Sequence, residues 1–215
     1  MSDMGSEKAF HQSPAPGQAI VAFDFDGTLT IRDSFTAFLK WRAGPLRWLQ
    51  GLARLVPAVF AYLSDKDRGR IKVASVREFL TGVDRTALEA EAERFAQIIW
   101  PRFMRPDALA TWEDWGRRGA HRVIVTASPE TTVAPFARRL GAENLIGTRL
   151  AFDDQDQVLG AFVGGNCRGE EKMHRLRAVY GDDMVLTAAY GDTSGDAKMI
   201  AAAEEKGYRV FTGRP

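Results

Sequence analysis

Val21-Ala22-Phe23-Asp24-Phe25-Asp26-Gly27-Thr28-Leu29-Thr30 is an apolar run that ends in two carboxylates one residue apart. In an extended chain successive side chains point to opposite faces, so Asp24 and Asp26 share a face while Phe25 turns into packing. Gly27 lets the backbone turn sharply at the carboxyl end of the strand, where open α/β sheets place their ligands. A bare D-x-D-G is equally the look of two solvated aspartates before a turn. Its meaning depends on what the rest of the chain brings to it.

Working outward, the strand reads as Ala19 to Phe25 and is apolar on both faces, like a central parallel strand covered by helices. Upstream, residues 1–18 are rich in Ser, Pro and Gly, hold no apolar run of signal-peptide length, and are expected to form a mobile tail. Downstream, from Asp33 to Asp114, the periodicity is helical: Ser34–Arg42, Leu46–Leu63, Arg70–Leu80, Arg85–Ile99 and Ala108–Arg118. Asp33-Ser34 and Asp84 are expected N-caps, and Gly82 and Gly119 expected stops. Roughly 80 helical residues exceed a single crossover. Residues 33–114 therefore predict an inserted all-helical domain.

Alternation of strand and helix then resumes. His121–Thr126 predicts a buried strand, Ser128-Pro129 the start of a helix over Glu130–Leu140, and Leu145–Phe152 with Val158–Val163 a β-hairpin. A glycine-rich loop, Gly164–Gly169, leads to a helix over Glu170–Tyr180. Met184–Tyr190 predicts a strand, Ala197–Lys206 a helix and Tyr208–Thr212 a last strand. The fold class is α/β: a doubly wound parallel sheet whose core comprises residues 19–32 and 115–215, interrupted by the helical insertion and carrying a hairpin.

Composition excludes several classes of function. The formal net charge of +1 offers no field for nucleic acid, and neither zinc-type Cys/His spacing nor an Arg-rich recognition helix is present. The single cysteine, Cys167, cannot form an intramolecular disulfide and reads as a small, inert loop residue. No stretch reaches the ~20 apolar residues of a spanning helix. A cytoplasmic placement is expected, with peripheral contact at the inner membrane surface left open. His11, His121 and His174 fit no motif and are expected on the surface or in the tail.

Three strands end in related polar residues: Asp24/Asp26, Thr126/Ser128 and Asp192/Asp196. In a doubly wound sheet these ends meet across one crevice. A hydroxyl leading into a helix N-terminus suits a phosphate oxygen, and clustered carboxylates suit a hard cation such as Mg²⁺. Lys172, opening a helix after the glycine-rich loop, can supply a fixed positive charge.

The set DFDGTLT, VTAS, GEEK and YGDTSGD resembles, in order and spacing, the four motifs of the haloacid dehalogenase superfamily of phosphatases. That resemblance implies a phosphate monoester as substrate and Mg²⁺ as cofactor. It implies Asp24 as nucleophile, Asp26 as general acid/base, Thr126 as phosphate-binding hydroxyl and Lys172 as charge-neutralising lysine. Phosphate contacts are expected from Gly27, Thr126, Ala127, Ser128 and Lys172. The metal is expected on Asp24, the backbone carbonyl of Asp26 and Asp192, with Asp196 as an auxiliary partner. The insertion is similar to the helical cap of subfamily IB. The forms NCRGEEK, YGDTSGD and VTASPE resemble the phosphatidylglycerophosphatase C branch, which implies a lipid head-group phosphate; a small soluble monophosphate is the alternative. A receiver-like or inactive phosphate-binding signalling domain is disfavoured by Asp26, by the insertion and by the complete motif set.

Within the insertion, Leu46–Leu63 holds 13 apolar residues out of 18. Trp48, Leu52, Leu55, Val59 and Tyr62 share a helical stripe, beside Arg47, Gln50 and Arg54. Residues 32–72 carry nine Lys/Arg against three Asp/Glu. Contact with an anionic membrane is therefore expected through Arg47, Trp48 and Arg54, the alternative being a helix that only packs on the cap. Pro57 is expected to kink or interrupt it.

Overall fold

The sheet is built around β1 (Ile20–Phe23), whose four apolar residues are all buried. In this computed structural model, which describes Phe10 and residues 12–65 and 68–215, five further strands flank it: β2 (His121–Pro129), β3 (Asn144–Phe152), β4 (Val158–Val163), β5 (Leu186–Gly191) and β6 (Ala203–Tyr208). Their order is β4-β3-β2-β1-β5-β6, parallel except for the antiparallel β3–β4 pair. Alternation along β1 splits the core in two. Val21 and Phe23 join an apolar cluster that continues into the insertion, while Ile20 and Ala22 join a second one with Met173, Leu176 and Met199.

The helices are α1 (Ser34–Asp65), α2 (Arg68–Leu80), α3 (Arg85–Ile99), α4 (Pro106–Arg117), α5 (Glu130–Leu140), α6 (Glu170–Tyr180) and α7 (Ala197–Ala201). Asp33 Oδ1 accepts Thr36 N–H at 2.6 Å and Asp84 Oδ1 accepts Ala87 N–H at 2.9 Å, so both expected caps form. The chain leaves the core at Leu29–Ile31 and returns at Phe103–Arg105, where the two segments are bonded side by side (Ile31 N to Phe103 O, Arg105 N to Leu29 O, both 2.9 Å). α4 lies on the core side of this junction, with Trp112 edge-on to Phe23 at 5.1 Å. The helical insertion is therefore shorter than 33–114: α1 to α3 rise above the sheet and α4 is a crossover helix.

The hairpin supports that insertion. Gly82 N donates to Val158 O, Val158 N to Val83 O, and Arg85 Nε to Asp156 Oδ1. These bonds tie the α2–α3 turn to β4.

Several expectations are corrected. The stretches Ser34–Arg42 and Leu46–Leu63 form one long element, bent at Gly44 (φ 69°). The helix runs through Pro57 because the proline lies on the exposed side, where water can satisfy the carbonyl it leaves unpaired. The apolar stripe splits: Leu55 is buried and Trp48 stacks on Phe79 at 5.2 Å, whereas Leu52 and Val59 are exposed. Arg47 and Arg54 both pair with Glu78 of α2, at 2.6 and 3.1 Å. Of the expected membrane trio, Trp48 is thus packed within the insertion, and Arg47 and Arg54 are tied to Glu78 while keeping part of their side chains exposed; the side chain of Tyr62 lies outside the described residues. At the C-terminus the helix stops at Ala201 and Ala203–Tyr208 becomes the edge strand paired with β5. Its charged residues fit an edge, and Gly207 leaves room for the Tyr190 ring.

The tail expectation fails for its second half. Asn144 grips Gln12 through two 2.9 Å bonds, and Gln18 Nε2 donates to Gly119 O. Residues 1–9 and His11 lie outside the described residues. His121 is buried rather than exposed, against Tyr180 OH at 3.1 Å and Asn144, and burial holds its imidazole below the usual histidine range. His174 is exposed as expected. Burial pushes the Cys167 thiol up to about 11, which matches its reading as inert.

Candidate active site

Parallel register sets the site. Phe23 pairs with Ile124 of β2 and with Tyr190 of β5, and Asp24 N donates to Tyr190 O at 2.8 Å. Asp24 comes one residue after Phe23, and Thr126 and Asp192 come two residues after Ile124 and Tyr190, at the carboxyl edge where the sheet order reverses between β1 and β5. Gly27 turns the chain away with φ 84°. A Cβ there would stand 2.3 Å from Asp192 Oδ2, so only glycine allows the turn to close on that carboxylate.

Lys172 is the third residue of α6 and is 1% exposed. Its Nζ donates to Asp24 Oδ1 (2.6 Å), Asp196 Oδ1 (2.7 Å) and Val125 O (2.6 Å), which uses all three of its protons. Burial works against its charge, but Asp24 and Asp196 outweigh it and hold the ammonium above the usual lysine range. Asp196 is engaged on both oxygens: besides Lys172 on Oδ1, its Oδ2 takes Thr193 N–H (2.9 Å) and Thr193 Oγ1–H (2.8 Å) in a reciprocal capping arrangement. Burial would raise its pKa, yet Lys172 lowers it. Asp196 thus positions the lysine.

Asp24, Asp192 and Asp196 each offer an oxygen within 4.8 Å of the others. Asp192 Oδ1 is buried with no hydrogen-bond partner. Burial raises the Asp24 carboxyl to about 7 against the pull of Lys172, with Asp196 and Asp26 adding to the rise; burial and Asp196 also raise Asp192. One ammonium facing this much carboxylate leaves surplus negative charge. An orphaned carboxylate oxygen in such a cluster fits a hard divalent cation, held by Asp24 and Asp192 beside the already engaged Asp196.

Asp26 stands apart from that cluster. Its Oδ1 accepts Ser34 N–H (2.6 Å) and its Oδ2 accepts Ser128 Oγ–H (2.5 Å). Burial raises its pKa, Asp33 adds to the rise, and Lys72 and the two hydrogen bonds oppose it. Both carboxylate oxygens of Asp26 are thus already engaged. Ser128 neither caps α5, whose first turn has no side-chain cap, nor keeps a free hydroxyl for phosphate. It orients Asp26 instead. Thr126 is fully buried, with its Oγ1 accepting Ser128 N–H at 3.0 Å and its own proton still available.

Asp24, Asp26, Gly27, Ala127, Lys172, Asp192 and Asp196 line one cavity of about 370 Å³. A larger groove of about 800 Å³ beside α5, β3 and α6 contains none of these groups. The smaller cavity also collects cations that no motif announces. Lys72 of α2 reaches down to Ala127 O at 2.9 Å, Arg168 donates to the hydroxyls of Thr193 and Ser194, and Arg32 lies over the Phe103 ring. Arg105 clamps the turn through Gly27 O, Thr30 O and Gly213 O. Only the folded insertion brings Lys72 here, so no local sequence signal marked it.

The pattern of the haloacid dehalogenase-like hydrolases matches residues 21–201, which span the carboxylates, hydroxyls and cations that line the cavity. The chain belongs to that family. Within it, the chain is 58% identical to Protein CicA of Caulobacter vibrioides over 196 residues, covering 91% of this chain and 88% of that protein. Among solved structures, a protein of unknown function from Bordetella pertussis Tohama I superposes with a TM-score of 0.73 at 21% identity, covering 86% of each chain. A substrate-bound phosphoserine phosphatase superposes with 0.60 at 18% identity, covering 89% of this chain and 85% of that one. These likenesses place the sheet and its helical cap in the haloacid dehalogenase-like fold.

Proposed function

We propose that the protein is a Mg²⁺-dependent phosphomonoester hydrolase that works through an aspartyl-phosphate on Asp24. The observation that carries this reading is Lys172 buried between Asp24 and Asp196, with Asp192 Oδ1 left unpaired beside them. Asp24 and Asp192, with the Asp26 carbonyl, would hold the metal. When bound, Mg²⁺ screens the repulsion between carboxylate and phosphate and orients the phosphoryl group.

This chain's own residues do the rest. Asp24 attacks phosphorus in line with the leaving oxygen, forming one P–O bond as the ester P–O bond breaks. Lys172 offsets the charge that grows on the phosphoryl oxygens, and the Thr126 hydroxyl donates to one of them. Asp26, poised by Ser34 N–H and the Ser128 hydroxyl, gives its proton to the leaving alkoxide. It then takes one from the water that attacks phosphorus and frees Asp24. The Ser128 hydroxyl can donate to the carboxylate or accept from the acid, so it serves both states.

The cavity mouth supports a substrate with a second anionic group. The hydrogen bonds of Lys72 and Arg168 there go to neutral oxygens, and Asp33, the mouth carboxylate outside the catalytic set, spends Oδ1 on capping α1. A second phosphate, as in phosphatidylglycerophosphate, fits Lys72, Arg168 and Arg32 at this mouth better than the zwitterionic head of phosphoserine. We therefore infer a lipid head-group phosphate as substrate. The test is phosphate release by purified protein with Mg²⁺. Phosphatidylglycerophosphate should exceed phosphoserine and other soluble monophosphates by ~10-fold or more in kcat/KM, and EDTA should abolish release reversibly. Preference for a soluble monophosphate would remove the lipid reading; turnover undiminished by EDTA would remove the metal.

A further inference from the structure

The outer face of α1 is apolar and uncovered among the described residues. Leu46, Leu49, Leu52, Val56, Val59 and Phe60 recur at helical spacing on one side of the helix, and the largest of them are far into solvent: Leu46 71%, Leu49 66% and Phe60 68% exposed. Leu52 and Val59 border the side on which Leu55 is buried and Trp48 packs on Phe79, and Leu46, Leu49, Val56 and Phe60 turn further out from it. A contiguous exposed strip of this kind marks a docking surface.

Charge decides the occupant. From Ser34 to Ser64 the sequence contains no acidic residue, and of its four cations Arg42 is paired with Glu91 of α3 while Lys40, Arg47 and Arg54 keep exposed surface. Arg47 and Arg54 run along one flank of the strip and share the single carboxylate of Glu78, which leaves a net positive charge there. Lys40 is exposed at the other end of the helix. A second copy of the chain on this face would set two cationic helices against each other. An anionic phospholipid surface takes the apolar side chains into its acyl boundary and places head groups against the arginines. Among the described residues no helix is long and apolar enough to cross a membrane, which fits a helix lying in the interface plane.

We propose that the Leu46–Phe60 face of α1 seats the protein on an anionic bilayer, with Arg47 and Arg54 as its basic flank. This rests on the lipid-phosphate reading for its purpose, but its test does not. The intact protein is sedimented with vesicles of phosphatidylglycerol and phosphatidylcholine, and with phosphatidylcholine alone. It should pellet with the anionic vesicles, and Leu49→Glu combined with Phe60→Glu should weaken binding by ~10-fold or more. Both positions are on the surface, so Mg²⁺-dependent hydrolysis of soluble p-nitrophenyl phosphate should persist in the double variant. Absence of vesicle binding overturns the proposal. So does binding unaffected by the double variant, or a dimer in solution that the double variant dissolves while vesicles are ignored. Vesicle binding without phosphate release from lipid would instead leave the docking face standing and remove the substrate.

Discussion

Lys172 is the cation on which the buried carboxylates depend, and comparing its removal with that of Asp24 separates function from stability. Lys172→Met strands Asp24 and Asp196 without their partner. It should abolish turnover and lower stability by about 3 kcal/mol, the usual cost of breaking a buried pair from one side, measured by urea unfolding in EDTA. Asp24→Asn should abolish turnover too, but raise the unfolding midpoint in EDTA. The sign follows from the upward pKa shift of Asp24 to about 7. A carboxyl raised in the folded state supports stability fully below its unfolded value of about 4 and progressively less as pH climbs through the folded one. The metal-free protein should therefore lose stability between about pH 4 and pH 7, and the Asp24→Asn variant should flatten that loss. An unchanged slope in the variant would contradict the crowding described here.

The turn after β1 shows the same coupling at the level of an element. Gly27→Ala combines a strained φ with a Cβ 2.3 Å from Asp192 Oδ2, so either the turn opens or Asp192 moves. Hydrolysis should fall by ~100-fold and the Mg²⁺ concentration for half-maximal activity should rise; wild-type metal dependence would show that Asp192 needs no close turn. This turn was legible in the sequence because D-x-D-G carries its own geometry. α3, α5 and α6 were legible for a similar reason, their apolar spacing and end signals being local. The last helix was not. Its Glu204, Glu205 and Lys206 look helical alone, and only pairing with β5 makes Ala203–Tyr208 a strand. Ser128 was misread because S-P before a helix is a cap signal, and nothing local shows Asp26 arriving across the crevice at 2.5 Å.

For the molecule as a whole, the meeting of Asp24, Lys172, Asp192 and Asp196 was legible because four short motifs each end a strand or open a helix that the parallel topology brings to one edge. What the insertion contributes was not legible. Whether Lys72 enters the cavity, and which side of α1 stays uncovered, depends on how α1 to α3 settle over the sheet and on the hairpin that props them. The central claim is that this assembly moves a phosphoryl group onto Asp24. Protein mixed with a radiolabelled phosphomonoester and Mg²⁺, quenched in acid within the first turnover and digested, should carry label on the peptide containing Asp24, and Asp24→Asn should carry none. Phosphate release by the wild type with no labelled peptide, or by Asp24→Asn at an undiminished rate, would contradict it.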